Sequence, residues 1–81
     1  MDLAERKQAV VGAVALLLPD VEVILQTDGI CGSKRKAGGL AYTVIPTSDY
    51  IFADVGTESL SKFIAASISA DIDEIADTGG K

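Results

Sequence analysis

Leu60, Ile64, Ile68, Ile72 and Ile75 recur at near-helical spacing through the last third of the chain, with Phe63 alongside. Residues four apart lie one turn apart on one helical face, so this run predicts an amphipathic helix from about Glu58 to Ala76. Ser61, Lys62, Ser69, Asp73 and Asp77 fall on much of the opposite surface. A continuous apolar stripe needs a second layer over it, and the rest of an 81-residue chain has to supply that layer.

The first segment supplies part of it. Asp2, followed three residues later by Glu5, fits a capping box with Asp in place of Ser or Thr. Pro19 pushes the residue before it out of helical backbone, so a first helix is expected over about Leu3 to Leu18. Leu3, Val10, Val14 and Leu17 share one stripe, with Val11 and Leu18 beside it. Ala9, Gly12, Ala13 and Leu16 form a second, mostly small stripe that would let another helix approach closely. The apolar run at 9–18 is half the length of about 20 residues that a bilayer requires, and no net positive charge precedes it. Neither a membrane span nor a signal peptide is expected.

Between the helices the period falls to two. Val21, Val23 and Leu25 alternate with Glu22, Ile24 and Gln26, and Leu40, Tyr42 and Val44 alternate with Ala41, Thr43 and Ile45. Pro46-Thr47-Ser48-Asp49 reads as a turn, and Tyr50 to Val55 as a third strand ended by Gly56. The order α-β-β-β-α predicts an α+β fold: a three-stranded antiparallel meander with two helices packed on one face. One small domain is expected over residues 1–78, with a flexible tail at 79–81. Ile24 and Ile45, with Ile51 and Val55, are candidates for the sheet face turned away from the helices.

Composition argues that this face does not stay bare. Hydrophobic residues make up 48% of the chain and mean hydropathy is +0.33. A chain this short buries only about 60–65% of the surface its unfolded form exposes. The apolar surplus predicts a homo-oligomer, with a dimer favoured, or a protein partner. Two copies could join edge to edge into one six-stranded sheet, or pack helix 1 on helix 1 through Ala9, Gly12, Ala13 and Leu16.

Charge and residue types exclude other classes. A net charge of −5 and a pI near 4.4 argue against general affinity for nucleic acid or anionic lipid. The chain has one cysteine and no histidine, which leaves no internal disulfide, no metal-spaced Cys/His set and no imidazole base. A cytoplasmic, non-enzymatic protein without cofactor or metal is the expectation.

The strongest local signal is Asp28-Gly29-Ile30-Cys31-Gly32-Ser33-Lys34-Arg35-Lys36-Ala37-Gly38-Gly39, which holds three of the seven basic residues and four of the eight glycines. It reads as a long basic loop in which Gly32, Ser33, Lys34, Arg35, Lys36, Gly38 and Gly39 would contact a partner or an anion. A tight Asp28-Gly29 turn with Ile30-Cys31 starting a return strand is the alternative. The segment is no Walker A element, because Gly29 and Gly32 are too close together and no helix follows. Asp71, Asp73, Glu74 and Asp77 form an acidic patch in the last turns of the second helix, where the helix dipole disfavours negative charge. This patch suits a basic partner or the basic segment of a second copy. Cys31 lacks a base, and Asp54, on the Tyr50 and Phe52 side of the expected third strand, is a buried carboxylate only if that side is the core; a frayed strand end with Asp54 facing water is the favoured reading.

These features favour a small acidic protein-binding domain that self-associates. By size and charge alone, it has the economy of inhibitors, immunity proteins and phage or mobile-element accessory proteins. The competing reading is a small-ligand binder that holds a phosphate-bearing molecule in the glycine-rich basic loop at 28–39.

Overall fold

A computed structural model describes residues 2–79, with side chains described through residue 75. The elements run α1 (Leu3–Leu17), β1 (Glu22–Gln26), β2 (Gly29–Lys36), β3 (Gly39–Pro46), α2 (Asp49–Asp54) and α3 (Thr57–Gly79). The expected α+β architecture is present: an antiparallel three-stranded meander in the order β1-β2-β3, with α1 and α3 packed on one face.

Two segments take other roles than their patterns predict. The basic stretch is not a loop. It is the central strand β2, bounded by two-residue turns at Thr27-Asp28 and Ala37-Gly38. An early return strand, weighed as the alternative, does form, but its turn lies one residue earlier than Asp28-Gly29 and the strand is not short, running on through the basic triplet to Lys36. Tyr50 to Val55 is not a strand but lies in and just after the short helix α2. A short, mostly apolar run of six residues satisfies either period, so its partners decide. Phe52 turns inward and is 1% exposed, while Tyr50 stands out in solvent. Arg6 then satisfies the carbonyls that a helix end leaves open. Its Nε donates to Phe52 O at 2.7 Å, and its Nη2 donates to Val55 O at 2.9 Å. In this helix Asp54 is exposed at the C-terminal end, in water as the favoured reading has it, although the element that carries it is a helix and not a strand.

The end signals of α1 work as read. Asp2 Oδ1 accepts from Glu5 N at 2.8 Å, and Asp2 N donates to Glu5 Oε1 at 3.1 Å. The helix ends at Leu17, ahead of Pro19. α3 carries on past Ala76 to Gly79, so residue 79 is helical and not part of a tail; the rest of the expected tail, Gly80 and Lys81, lies outside the described residues.

The core joins Val10 and Val14 of α1, Ile30 and Ala41 of the sheet, Phe52 of α2, and Leu60, Ile64, Ala65, Ile68 and Ile72 of α3. The α3 stripe is turned slightly from its expected position. Ser61 is buried and donates to Thr57 O at 2.6 Å, while Phe63 is 65% exposed. The small side chains of Ser61 and Ala65 let a neighbouring layer come close, whereas a Phe on that flank would hold it off. The register also sorts the sheet. Ile30 and Ile45 are paired on the helix side, so Ile45 packs against the core rather than on the far face as expected.

Candidate functional site

The strand identity of β2 splits the basic triplet. Successive residues of a strand point to opposite faces. Lys34 and Lys36 lie on the helix side, and Arg35 lies on the far side opposite Leu40. Lys36 Nζ approaches Asp73 Oδ1 at 3.9 Å, and Thr43 Oγ1 donates to Asp71 Oδ2 at 2.9 Å. The acidic patch and the basic segment therefore meet within one chain. A pair this exposed on the Asp73 side stabilises by less than about 1 kcal/mol, so it orients α3 on the sheet more than it holds it there. Glu74 is exposed beside them, and the Asp77 side chain lies outside the described residues.

The glycine-rich loop expected at 28–39 does not form, because residues 29–36 are strand. Lys34 borders a hollow of about 240 Å³ next to the carboxylates of Asp20 and Asp73, which would repel an anion there. Ser33 is half-buried on the far face, level with Glu22 and Tyr42. Gly38 lies in the second turn, and Gly39 follows it with φ +128°, a backbone state that favours glycine.

Gly32 has a packing role instead. A Cβ at this position would lie 2.6 Å from Ile68 Cγ2 and 3.2 Å from Val21 Cγ1, so the bare backbone is what lets Ile68 seat on the sheet. Gly32→Ala is expected to lose about 1–3 kcal/mol by overpacking, read as a lower urea midpoint at unchanged slope. A neutral or stabilising result would remove this packing role.

Of the small-residue stripe on α1, Ala9 and Ala13 are half-buried, Gly12 has open space around it and Leu16 is 85% exposed. Two larger apolar surfaces stand out beside it; strand alternation marked Ile24 on the first, and no local pattern marked the second. The first is the far face of the sheet. Ile24, Cys31 and Val44 form one cross-strand row, and Glu22, Ser33 and Tyr42 the next, with Arg35 and Leu40 beyond. Ile24, Tyr42 and Leu40 are 45%, 50% and 61% exposed. Cys31 sits at the centre, buried between its neighbours rather than under a helix. Glu22 and Arg35 balance, so this face is electrically neutral on a chain of net charge −5.

The second is a groove of about 390 Å³ between α2 and α3, lined by Pro46, Thr47, Ile51, Val55, Ser59, Leu60, Phe63 and Ile64. It runs into a hollow of about 460 Å³ that shares Pro46, Thr47 and Ile51 and is bordered by Asp28 and Asp49. Lys7 holds Asp49 at 2.8 Å, with its ammonium 5.6 Å from the centre of the Phe52 ring. For the groove the only signal was the apolar surplus of the composition, which says how much is left over and not where it goes.

Among the described residues, no group of three or more His, Cys, Asp or Glu is arranged to hold a metal ion, and no helix is long and apolar enough to cross a membrane. Comparison with family models, curated proteins and solved structures finds no match to this chain.

Proposed function

We propose that this chain is a non-enzymatic protein-binding domain that pairs with a second copy through the far face of its sheet. The observation that carries this is the uncovered row of Ile24, Val44, Tyr42 and Leu40 behind a fully formed helical layer. Antiparallel sheets tolerate water on one face when that face is polar. Here apolar side chains alternate across it with few charges. Its neutrality lets two acidic bodies approach there without repulsion. A two-fold axis through this face gives a four-layer dimer, helices outside and two sheets within.

Strand spacing and rise make the face about 15 by 25 Å. That is about half of the roughly 800 Å² per partner of a standard interface, so a dimer dissociating in the micromolar range is expected. A reducing cytoplasm suits a chain with one cysteine and no disulfide.

The test is mass in solution. At high micromolar concentration the protein should run at twice 8.4 kDa by light scattering. Ile24→Glu should return it to 8.4 kDa with an unchanged circular dichroism spectrum. Leu16→Glu, on the exposed flank of α1, should leave the dimer intact. A monomeric wild type sinks the proposal, and dissociation by Leu16→Glu alone moves the contact to α1.

A further inference from the structure

We infer that the groove between α2 and α3 binds an amphipathic helix of a partner protein, carrying two apolar anchors one turn apart and a Lys or Arg at one end. The groove is lined mainly by α2 and α3 and meets the sheet only at the end of β3, through Pro46 and Thr47, so it stays open when the rows from Ile24 to Leu40 are covered, and a dimer would present two. Its walls are Ile51 and Val55 on one side and Leu60, Phe63 and Ile64 on the other. Phe63 is 65% exposed and Ile51 and Val55 are more than a third exposed, so large apolar side chains stand around an unfilled channel. A bound side chain would meet carbon on both sides and release water from each.

Length and charge select the occupant. α2 has six residues and is about 9 Å long at 1.5 Å per residue. That wall matches two side chains at i and i+3 or i+4, which are about 5–6 Å apart on a helix, and apolar grooves between helices take helices in this way. The channel opens at one end past Pro46 and Thr47 onto Asp28 and Asp49. Asp49 is already paired with Lys7, whereas Asp28 has no ion pair among the described residues. A cation at the end of the bound helix would meet the Asp28 carboxylate. An acidic end would meet it with the same sign.

The probe is a synthetic 14-residue Leu/Lys amphipathic helix, with a Leu/Glu peptide of the same pattern as its counterpart. Titration into the full-length ¹⁵N-labelled protein should shift the amides of Thr47, Ile51, Val55, Leu60 and Phe63. The Leu/Glu peptide should bind at least tenfold more weakly. Phe63→Ser, at an exposed position that leaves the core intact, should weaken binding of the Leu/Lys peptide at least tenfold, and Asp28→Asn about threefold. If Phe63→Ser alters the spectrum broadly, Val55→Ser replaces it with the same expectation. Ile24→Glu should bind as the wild type does, which separates this inference from the fate of the sheet-face dimer. Shifts confined to Asp71–Glu74, equal affinity for both peptides, or no binding by either would overturn it. Groove shifts that follow protein concentration without peptide would overturn it too, because the occupant would then be a second copy.

Discussion

Gly29→Ala should destabilise this domain more than a methyl group added at Gly12, Gly32, Gly39 or Gly56. Gly29 opens β2 directly after the Thr27-Asp28 turn, and the end of β3 passes against it. Thr47 N donates to Asp28 O at 3.0 Å, which continues the pairing past Pro46, a residue with no N–H to give. This closeness leaves no room for a side chain. A Cβ would run into Ile45 O and would lie 2.8 Å from Thr47 N and 2.9 Å from Pro46 Cα. All three are backbone atoms, so no rotamer change relieves the clash. The φ of +158° is itself a backbone state that residues with a side chain rarely adopt, so the conformation and the approach of β3 both demand glycine.

A loss of about 3 kcal/mol or more is expected for backbone overpacking of this kind. At about 0.05–0.15 kcal/mol per residue the whole domain has roughly 4–12 kcal/mol. A thermal melt followed by circular dichroism should fall by about 12–24 °C, at 4–8 °C per kcal/mol for a chain of this size. Gly12→Ala makes the same chemical change on α1, where nothing lies within 4 Å of the new methyl group. There the melt should rise, because alanine favours a helix over glycine by about 1 kcal/mol. Equal effects at the two positions would show that β3 does not lie against Gly29.

Phe52→Ala should cost about 3–5 kcal/mol, the range for removing a buried ring. Phe52 is the only buried residue of α2 and the largest fully buried side chain among the described residues. A six-residue helix has no stability of its own. α2 is held by this ring, by the two Arg6 hydrogen bonds to its C-terminal carbonyls and by the half-exposed Lys7–Asp49 pair. Without the ring, the remaining bonds are too few to hold the helix, and one wall of the α2–α3 groove goes with it. Urea denaturation should show the loss in midpoint, and hydrogen exchange should quicken first at Ile51 to Val55. Phe63→Ala provides the contrast. That ring is 65% exposed, so its removal should change stability by less than about 1 kcal/mol. A Phe52→Ala loss below that value would show that α2 does not rest on its ring.

The two phenylalanines also mark how far the sequence can be read. Both sit in apolar surroundings, and nothing local says that Phe52 is buried and Phe63 exposed. Phe63 lies beside the α3 stripe by helical spacing. Only the position of the neighbouring layer, close over Ser61 and Ala65, leaves it on the outside. β2 was hidden for a different reason. Gly-Ile-Cys-Gly-Ser-Lys-Arg-Lys has no apolar alternation and two glycines, so it does not resemble a strand. It becomes one because β1 and β3 flank it and satisfy its backbone from both sides, and because Gly32 admits Ile68. Once it is a strand, alternation sends Lys34 and Lys36 to the helices and Arg35 to the far face. The grouped charge of the sequence thus separates in space.

What the chain declares by itself is set by near neighbours: the capping box at Asp2 and Glu5, the stop at Pro19, the four-residue rhythm of α3, the alternation of β1 and β3, and hence an α+β meander. Each follows from backbone sterics or from one period of side chains, and both act over a few residues. The choices left to the tertiary structure depend on groups far apart in the chain. They are the central strand β2, the helical state of residues 49–54, the meeting of Lys36 with Asp73, and the two apolar surfaces left open. No window of a few residues contains Arg6 and Phe52 together, or Gly29 and Ile45, and it is between such partners that the energies were decided.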